Sequence, residues 1–261
     1  MKVVQSRYLH FIDDQMRLPV QLTNENAPFS LYIVYFINCM IHPNYIDWLY
    51  HQVKLVESYT DHIYIVATIK QEEKDKFTEY CLRIFPKAIV SCTFTNEYEY
   101  PGILKVWELA QLHRNPNDIF LYFHSKGMTH HSSYKGNRND SYNVILGDIH
   151  KIYDIYTTFP TIDKIGYTSG GNGWIWYNFW YARGSYLSGV ERPLLTTRRH
   201  YYEDWLGRKV ISEKDLITDV ERPHSYYPNT LSSCYGFSTD RSTYGNIGSY
   251  YCPNTNKMFR I

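Results

Sequence analysis

The stretch Asn117-Asp118-Ile119-Phe120-Leu121-Tyr122-Phe123-His124-Ser125-Lys126-Gly127 decides how the rest of the chain is read. Its centre, Ile119 to Phe123, is unbroken apolar sequence with aromatics interleaved, which suits a strand covered on both faces. It ends in a titratable ring, a hydroxyl, a cation and a flexible turn residue. In an open α/β sheet, ligands bind beyond the carboxyl ends of the strands. A cation and a hydroxyl at such an end predict an anionic ligand, most simply a phosphate.

Working back from that strand, residues 30–38 (Ser-Leu-Tyr-Ile-Val-Tyr-Phe-Ile-Asn) form another buried strand pattern. Tyr45, Trp48, Leu49, Gln52, Val53 and Val56 then recur at helical spacing, all apolar but Gln52. Residues 62–69 read as a second strand, 71–85 as a helix with Phe77, Tyr80, Cys81 and Ile84 on one side, and 88–94 as a third strand. Pro101 can open a helix in its first turn, and Ile103, Leu104, Trp107 and Leu112 continue it. The order is β-α-β-α-β-α-β. It predicts an α/β, Rossmann-like fold with a mainly parallel central sheet flanked by helices. The strand ends then bring Asn38, Thr68, Asn96 and His124-Ser125-Lys126 to one rim, as the expected ligand-binding loops.

Working forward, residues 129–142 are polar and carry His130, His131, Lys135, Arg138 and Asp140. They read as a surface loop or as a lid over the rim. A helix is expected at 144–159 and a short strand at 163–169. Gly170-Gly171-Asn172-Gly173 is a turn cluster without the lysine and helix of a phosphate loop. In Trp174-Ile175-Trp176-Tyr177-Asn178-Phe179-Trp180-Tyr181-Ala182-Arg183, a strand would put Trp174, Trp176, Asn178 and Trp180 on one face. Core packing accounts for Ile175 and Phe179 opposite them. The indole face is either more core or a wall on which a sugar or a base stacks. Glu203-Asp204 sits among Tyr201, Tyr202 and Trp205. It is either an acidic pair at a helix start or a site where desolvation turns a carboxylate into a general base. Residues 221–261 are rich in Tyr, Ser, Asn, Gly and Pro and read as an irregular segment packed on the domain, and 1–29 as an N-terminal extension.

The bulk composition bounds the function. The chain has 261 residues and a net charge of +1, so no basic stripe points to nucleic acid. It holds 27 tyrosines and 6 tryptophans, an abundance that suits either ordinary core use or aromatic ligand platforms. The five cysteines show no C-x-x-C spacing, which argues against a zinc site or a disulfide framework and for a reducing compartment. The longest apolar run, near 31–41, is too short for a bilayer, and the first seventeen residues lack a signal core. A soluble cytoplasmic protein is the expectation. Oligomeric state is not legible.

Several of these segments, in order, resemble one family. Leu121-Tyr122-Phe123-His124-Ser125-Lys126-Gly127-Met128-Thr129 resembles the LYxHxKGxS/T strand end of GT-A-like sugar transferases from bacteria, algae and large viruses. Tyr177-Asn178-Phe179-Trp180-Tyr181-Ala182-Arg183-Gly184-Ser185-Tyr186-Leu187 is similar to their later GNFWW-(A)-R-x-x-Y-L segment, with Tyr177 where glycine is usual. Glu203-Asp204-Trp205 matches a downstream Glu before Trp, and residues 96–104 an acidic, proline-led helix start. The resemblance spans about residues 30–210. It implies a glycosyltransferase, hexosyl or pentosyl, that moves a sugar from a nucleotide-sugar donor to a hydroxyl of a glycan or glycoprotein. It implies a catalytic region at 30–220, with a nucleotide-binding half (30–127) and an acceptor half (128–220).

On that reading Asn38, Thr68, Asn96, His124, Ser125 and Lys126 hold the donor, and Trp176, Asn178, Trp180 and Arg183 the sugar or acceptor. Glu203, or else Asp204, is the catalytic base. Such enzymes usually carry Asp-x-Asp for a divalent metal, Mn or Mg, where this chain has His124-Ser125-Lys126. Metal dependence is therefore left open. Either Lys126, with Arg183 or loop cations, neutralises the diphosphate, or His124 is a metal ligand. The reading from a different class is a carbohydrate- or nucleotide-binding module that kept the fold without the chemistry.

Overall fold

The computed structural model describes residues 29–113, 115, 117–125, 145–158, 162–166 and 175–208, and the strands at 233–236, 249–252 and 257–260. The apolar runs become strands. They are β1 (Ser30–Asn38), β2 (His62–Thr68), β3 (Ala88–Thr93), β4 (Asp118–His124), β5 (Ile162–Gly166), β6 (Trp180–Arg183) and β7 (Ser233–Gly236). They form one sheet in the order β3-β2-β1-β4-β6-β5-β7. All neighbours are parallel except β6, which runs antiparallel to both β4 and β5. Every residue of β4 is buried, as its apolar run predicts.

Helices cover both faces of the central strands β1 and β4, so these need no alternation of polar residues. On one face lie α1 (Tyr45–Lys54), α2 (Lys74–Ile84) and α4 (Ile149–Thr158). Trp48, Leu49, Val53, Phe77, Cys81, Ile152 and Tyr156 pack there against Leu31, Ile33, Tyr35 and Ile37 of β1 and Ile119, Leu121 and Phe123 of β4. On the other face lie α3 (Tyr100–Leu112), the single turn α5 (Gly184–Leu187) and α6 (Arg199–Asp204). They bury Ile103, Val106, Tyr186, Leu187, Tyr201 and Tyr202 against Val34, Phe36, Phe120, Tyr122 and Trp180. Burying one such large apolar side chain contributes about 1.5–3 kcal/mol. Helix propensity differs by less than about 1 kcal/mol per ordinary residue. Packing on the sheet is therefore what holds these short helices.

Two expectations change. The aromatic segment is not one strand: Trp176–Asn178 is a 3-10 turn and β6 begins only at Trp180. The reason is backbone geometry, since Tyr177 and Asn178 have φ of 70° and 56° and cannot continue a strand. The segment 221–261, expected to be irregular, supplies β7 to the main sheet and a separate antiparallel pair, β8 (Ser249–Cys252) with β9 (Lys257–Arg260). The sheet draws strands from both of the expected halves and so joins them. Residues 1–28, the 129–142 loop and the Gly170–Gly173 cluster lie outside the described residues. Among the described residues no helix is long and apolar enough to cross a membrane.

The second face depends on one close approach. A Cβ on Gly102, in the first turn of α3, would lie 2.6 Å from the Phe36 Cβ and 3.1 Å from the Tyr122 ring. Alanine gains about 1 kcal/mol of helix propensity over glycine, but overpacking against a strand costs about 1–3 kcal/mol. Gly102→Ala is expected to lower stability by about 1 kcal/mol or more, read from the denaturation midpoint in urea. A midpoint that rises would mean that α3 can move away from β1.

Candidate functional site

The sheet order puts the site between two strands. From β1 the chain steps outward to β2 and β3 over one face, then crosses back over the other face to β4 on the far side of β1. The loops after β1 and β4 therefore leave in opposite directions, and the crevice between them is where ligands bind in open α/β sheets. Pairing of Phe36 with His124 sets its floor. The Ser125 N–H donates to the Phe36 carbonyl at 3.1 Å, carrying the strand pairing one residue further.

The first three strand ends are tied to one another. Asn38 and Thr68 are register partners, as are Thr68 and Thr93. The Asn38 amide donates to Asn96 Oδ1 at 2.9 Å, and the two threonine hydroxyls share a hydrogen bond of 3.1 Å. Asn96 Oδ1 also accepts from the Tyr98 N–H, at 3.2 Å, holding Tyr98 at a φ of 54°. Asn38, Thr68 and Asn96 thus meet at one rim, and Thr93 joins them.

At the fourth strand end the structure adds a residue to which sequence reasoning gave no role. Glu99, at the entry to α3, turns its carboxylate to the rim. Its Oε2 accepts from the Asn178 amide at 2.5 Å and from the Tyr122 hydroxyl at 3.2 Å. Its Oε1 lies 3.6 Å from His124 Nε2. Burial, and then the neighbouring Glu99 charge, push the Tyr122 hydroxyl well above the usual phenol value, so it stays protonated and donates. The missed signal was positional: the helix after β3 has to start at the carboxyl rim, so its first residues are rim residues.

Asn178 is drawn into this group by its left-handed backbone. Its amide also donates to the Tyr202 carbonyl at 3.2 Å, and its Oδ1 accepts from Trp180 Nε1 at 2.7 Å. The Tyr177 carbonyl accepts from His124 Nε2 at 3.1 Å. Left-handed backbone costs a residue with a Cβ about 1–2 kcal/mol, and such strain persists only where the surroundings over-determine it. Among the described residues the non-glycine positive-φ positions are Tyr98, Tyr177 and Asn178, and all three lie at this rim.

Other predicted site residues lie elsewhere. The Trp180 indole is fully buried, 5.3 Å from the Tyr122 ring and 6.4 Å from that of Trp205, so it is core and not a ligand wall. Of Trp176 the structure describes the backbone turn only, and Lys126 lies outside the described residues. Arg183 pairs with Ile119, near the amino end of β4, at the opposite edge of the sheet from the rim. There it is buried, donates to the carbonyls of Ile162 (2.7 Å) and Tyr156 (2.9 Å), and stacks over the Tyr156 ring. It cannot meet a diphosphate at the rim.

Of the acidic pair, Asp204 is committed to structure. Arg208 holds both its oxygens, at 3.0 and 3.2 Å, and reaches Glu191 at 3.2 Å. Burial pushes the Glu191 carboxyl up, while Arg208 pulls it back down. Glu203 is the more accessible member, its side chain 21% exposed and 3.4 Å from His200 Nδ1. It follows Tyr202, whose carbonyl takes the Asn178 amide, and so lies beside the turn.

Glu99 Oε2 is covered by two hydrogen-bond donors, and His124 Nε2 bears the proton that it gives to the Tyr177 carbonyl. Among the described residues no three His, Cys, Asp or Glu side chains gather as ligands.

No family model matches the chain, and no curated protein is significantly similar to it. Solved structures that are similar to it in part include two enzymes. One is a cytidylyltransferase from Leptospira borgpetersenii serovar Hardjo-bovis, at 12% identity and a TM-score of 0.37, covering 61% of this chain and 62% of its own. This chain thus spans under two thirds of that protein's length. The other is 4-diphosphocytidyl-2C-methyl-D-erythritol synthase from Anaerococcus prevotii, at 7% identity and a TM-score of 0.33, covering 70% of this chain and 79% of its own.

The two acidic neighbours are separable by mutation. Asp204→Asn leaves Arg208 short of a buried counter-charge and is expected to cost about 3–5 kcal/mol, whereas Glu203→Gln should leave stability within about 0.5 kcal/mol. Chemical denaturation of both variants checks this. Equal losses would mean that Glu203 too is structural.

Proposed function

We propose that the chain is a nucleotide-sugar-dependent glycosyltransferase that moves a sugar to a hydroxyl of a glycan or glycoprotein, with inversion. The observation that carries this is the carboxyl rim at the β1/β4 switch point, where the Asn38 amide is bonded to Asn96 beside His124 and Ser125. The amides there suit the base and ribose of a nucleotide, and the β4 end suits its phosphates. The family resemblance gains a physical reason at Tyr177. Where the related segment has glycine, this chain keeps a φ of 70°, the conformation that glycine adopts at no cost.

In this mechanism the nucleotide lies over the ends of β1 to β3 and the diphosphate lies by His124 and Ser125, with Lys126 as its counter-charge. The Asn178 turn borders the sugar. Glu203 takes the proton of the acceptor hydroxyl, and the oxygen attacks the anomeric carbon. The bond from that carbon to the phosphate oxygen breaks, and the electron pair leaves with the nucleoside diphosphate. No step is routed through a metal.

The absence of Asp-x-Asp at 124–126 favours a second reading, a binding module for a nucleotide or carbohydrate without turnover. A thermal-shift screen against UDP-, GDP- and CMP-sugars, with and without Mn²⁺, tests both. A donor that binds the folded state raises its apparent stability, and release of free nucleotide in the presence of an acceptor marks the transferase. Binding without release would leave the module. Glu203→Gln is expected to slow transfer by about 100-fold or more, and near-normal transfer would remove its assignment as base. Lys126→Ala is expected to weaken donor binding, and unaltered affinity would remove its phosphate role.

A further inference from the structure

We propose that Glu99 is a positioning residue, whose carboxylate locks His124 and the Tyr177–Asn178 turn into one unit that faces the anionic part of the ligand. The choice of a diphosphate ester as that ligand rests on the reading above. The lock itself rests on geometry.

Glu99 occupies the N-cap position of α3, yet its side chain makes no capping bond. The short side chains of Asn, Asp, Ser and Thr are the usual caps there, and Pro101 in the first turn has no N–H to give. Glu99 turns to the rim instead. Its oxygens meet Asn178 Nδ2, the Tyr122 hydroxyl and the His124 ring, with 16% of the side chain exposed. Its contribution is orientation and charge, since both of its oxygens face groups of the protein.

The histidine end of the unit follows from donor and acceptor roles. A carbonyl only accepts, so the 3.1 Å bond to Tyr177 puts a proton on His124 Nε2. The same nitrogen lies 3.6 Å from Glu99, whose negative charge favours the imidazolium. Glu99 faces the ring from α3, Tyr122 from its own strand at 6.3 Å between centroids, and Phe179 from the turn before β6 at 5.3 Å. The asparagine end holds the strained turn: without Glu99 the Asn178 amide keeps the Tyr202 carbonyl but loses its charged partner. One carboxylate thus couples a strand end to a turn that are 53 residues apart in sequence.

The test needs no substrate in its first arm. In ¹⁵N-histidine-labelled protein, with the His124 signal assigned from His124→Asn, long-range ¹H–¹⁵N spectra report tautomer and titration midpoint. Wild type is expected to show the Nε2–H form when neutral. Glu99→Gln is expected to lower the midpoint by about one pH unit, while Tyr122→Phe, which removes a neutral partner, leaves it in place. If Glu99→Gln does not fold, Glu99→Asp carries the test, with a smaller fall. An unchanged midpoint, or an Nδ1–H tautomer in wild type, overturns the proposal. In the second arm, UDP and GDP are titrated into wild type and Glu99→Gln. Binding of either one weakened about tenfold or more in the variant supports it, and equal affinity overturns it. If wild type binds neither nucleotide while the spectra behave as expected, the Glu99 unit stands and the transferase reading falls.

Discussion

The side-by-side pairing of β1 with β4 is the constraint on which the rest depends. Both strands are buried on both faces, so every backbone N–H and C=O has to find its partner within the sheet. Parallel pairing from Ser30 with Asp118 to Phe36 with His124 meets that need in the middle of the sheet. It also dictates topology. The chain has already passed to the far side of β1 to build β2 and β3, and α3 is the crossover that brings it back. The same step that satisfies the backbone opens the crevice and delivers the first residues of α3 to its edge.

Glu99 illustrates how a fold constraint becomes a chemical one. Gly102 lets α3 approach β1 closely, since a side chain there would meet Phe36. That approach sets Glu99 over the end of β4. Tyr122 and His124 point to the α3 face because residues two apart on a strand share a side. A carboxylate, a phenol and an imidazole therefore converge without being near in sequence. Asn178 joins them only because two consecutive left-handed residues reverse the chain just before β6.

Much of this was legible beforehand. The alternation of apolar runs with helical spacing gave the first four strands and three helices nearly at their observed ends, because each is held by its own burial pattern. Asn38, Thr68, Asn96 and His124 were found at the rim by the rule that parallel strands end on the same side. The readings that changed share one cause. Trp180, Arg183 and Asp204 were judged by residue type and local surroundings, while their roles depend on which face and which end of the sheet they occupy. A tryptophan suits a sugar wall or a core equally well; packing against Tyr122 and Trp205 makes it core. An arginine suits a phosphate or two backbone carbonyls; an antiparallel β6 carries Arg183 away from the rim. Asp204 lost its catalytic candidacy to Arg208, a partner one helical turn on.

What the sequence determined by itself was periodicity: which segments are strands, which are helices, and that the sheet is mainly parallel. Those follow from local pattern and from the burial that each run of apolar residues demands. What only the tertiary structure decided was the direction of β6, the left-handed turn before it, the entry of β7 into the sheet, and the gathering of Glu99, Tyr122, His124 and Asn178. These rest on contacts between residues far apart in the chain, where the gain from satisfying buried polar groups outweighs local preference, and no local pattern encodes them.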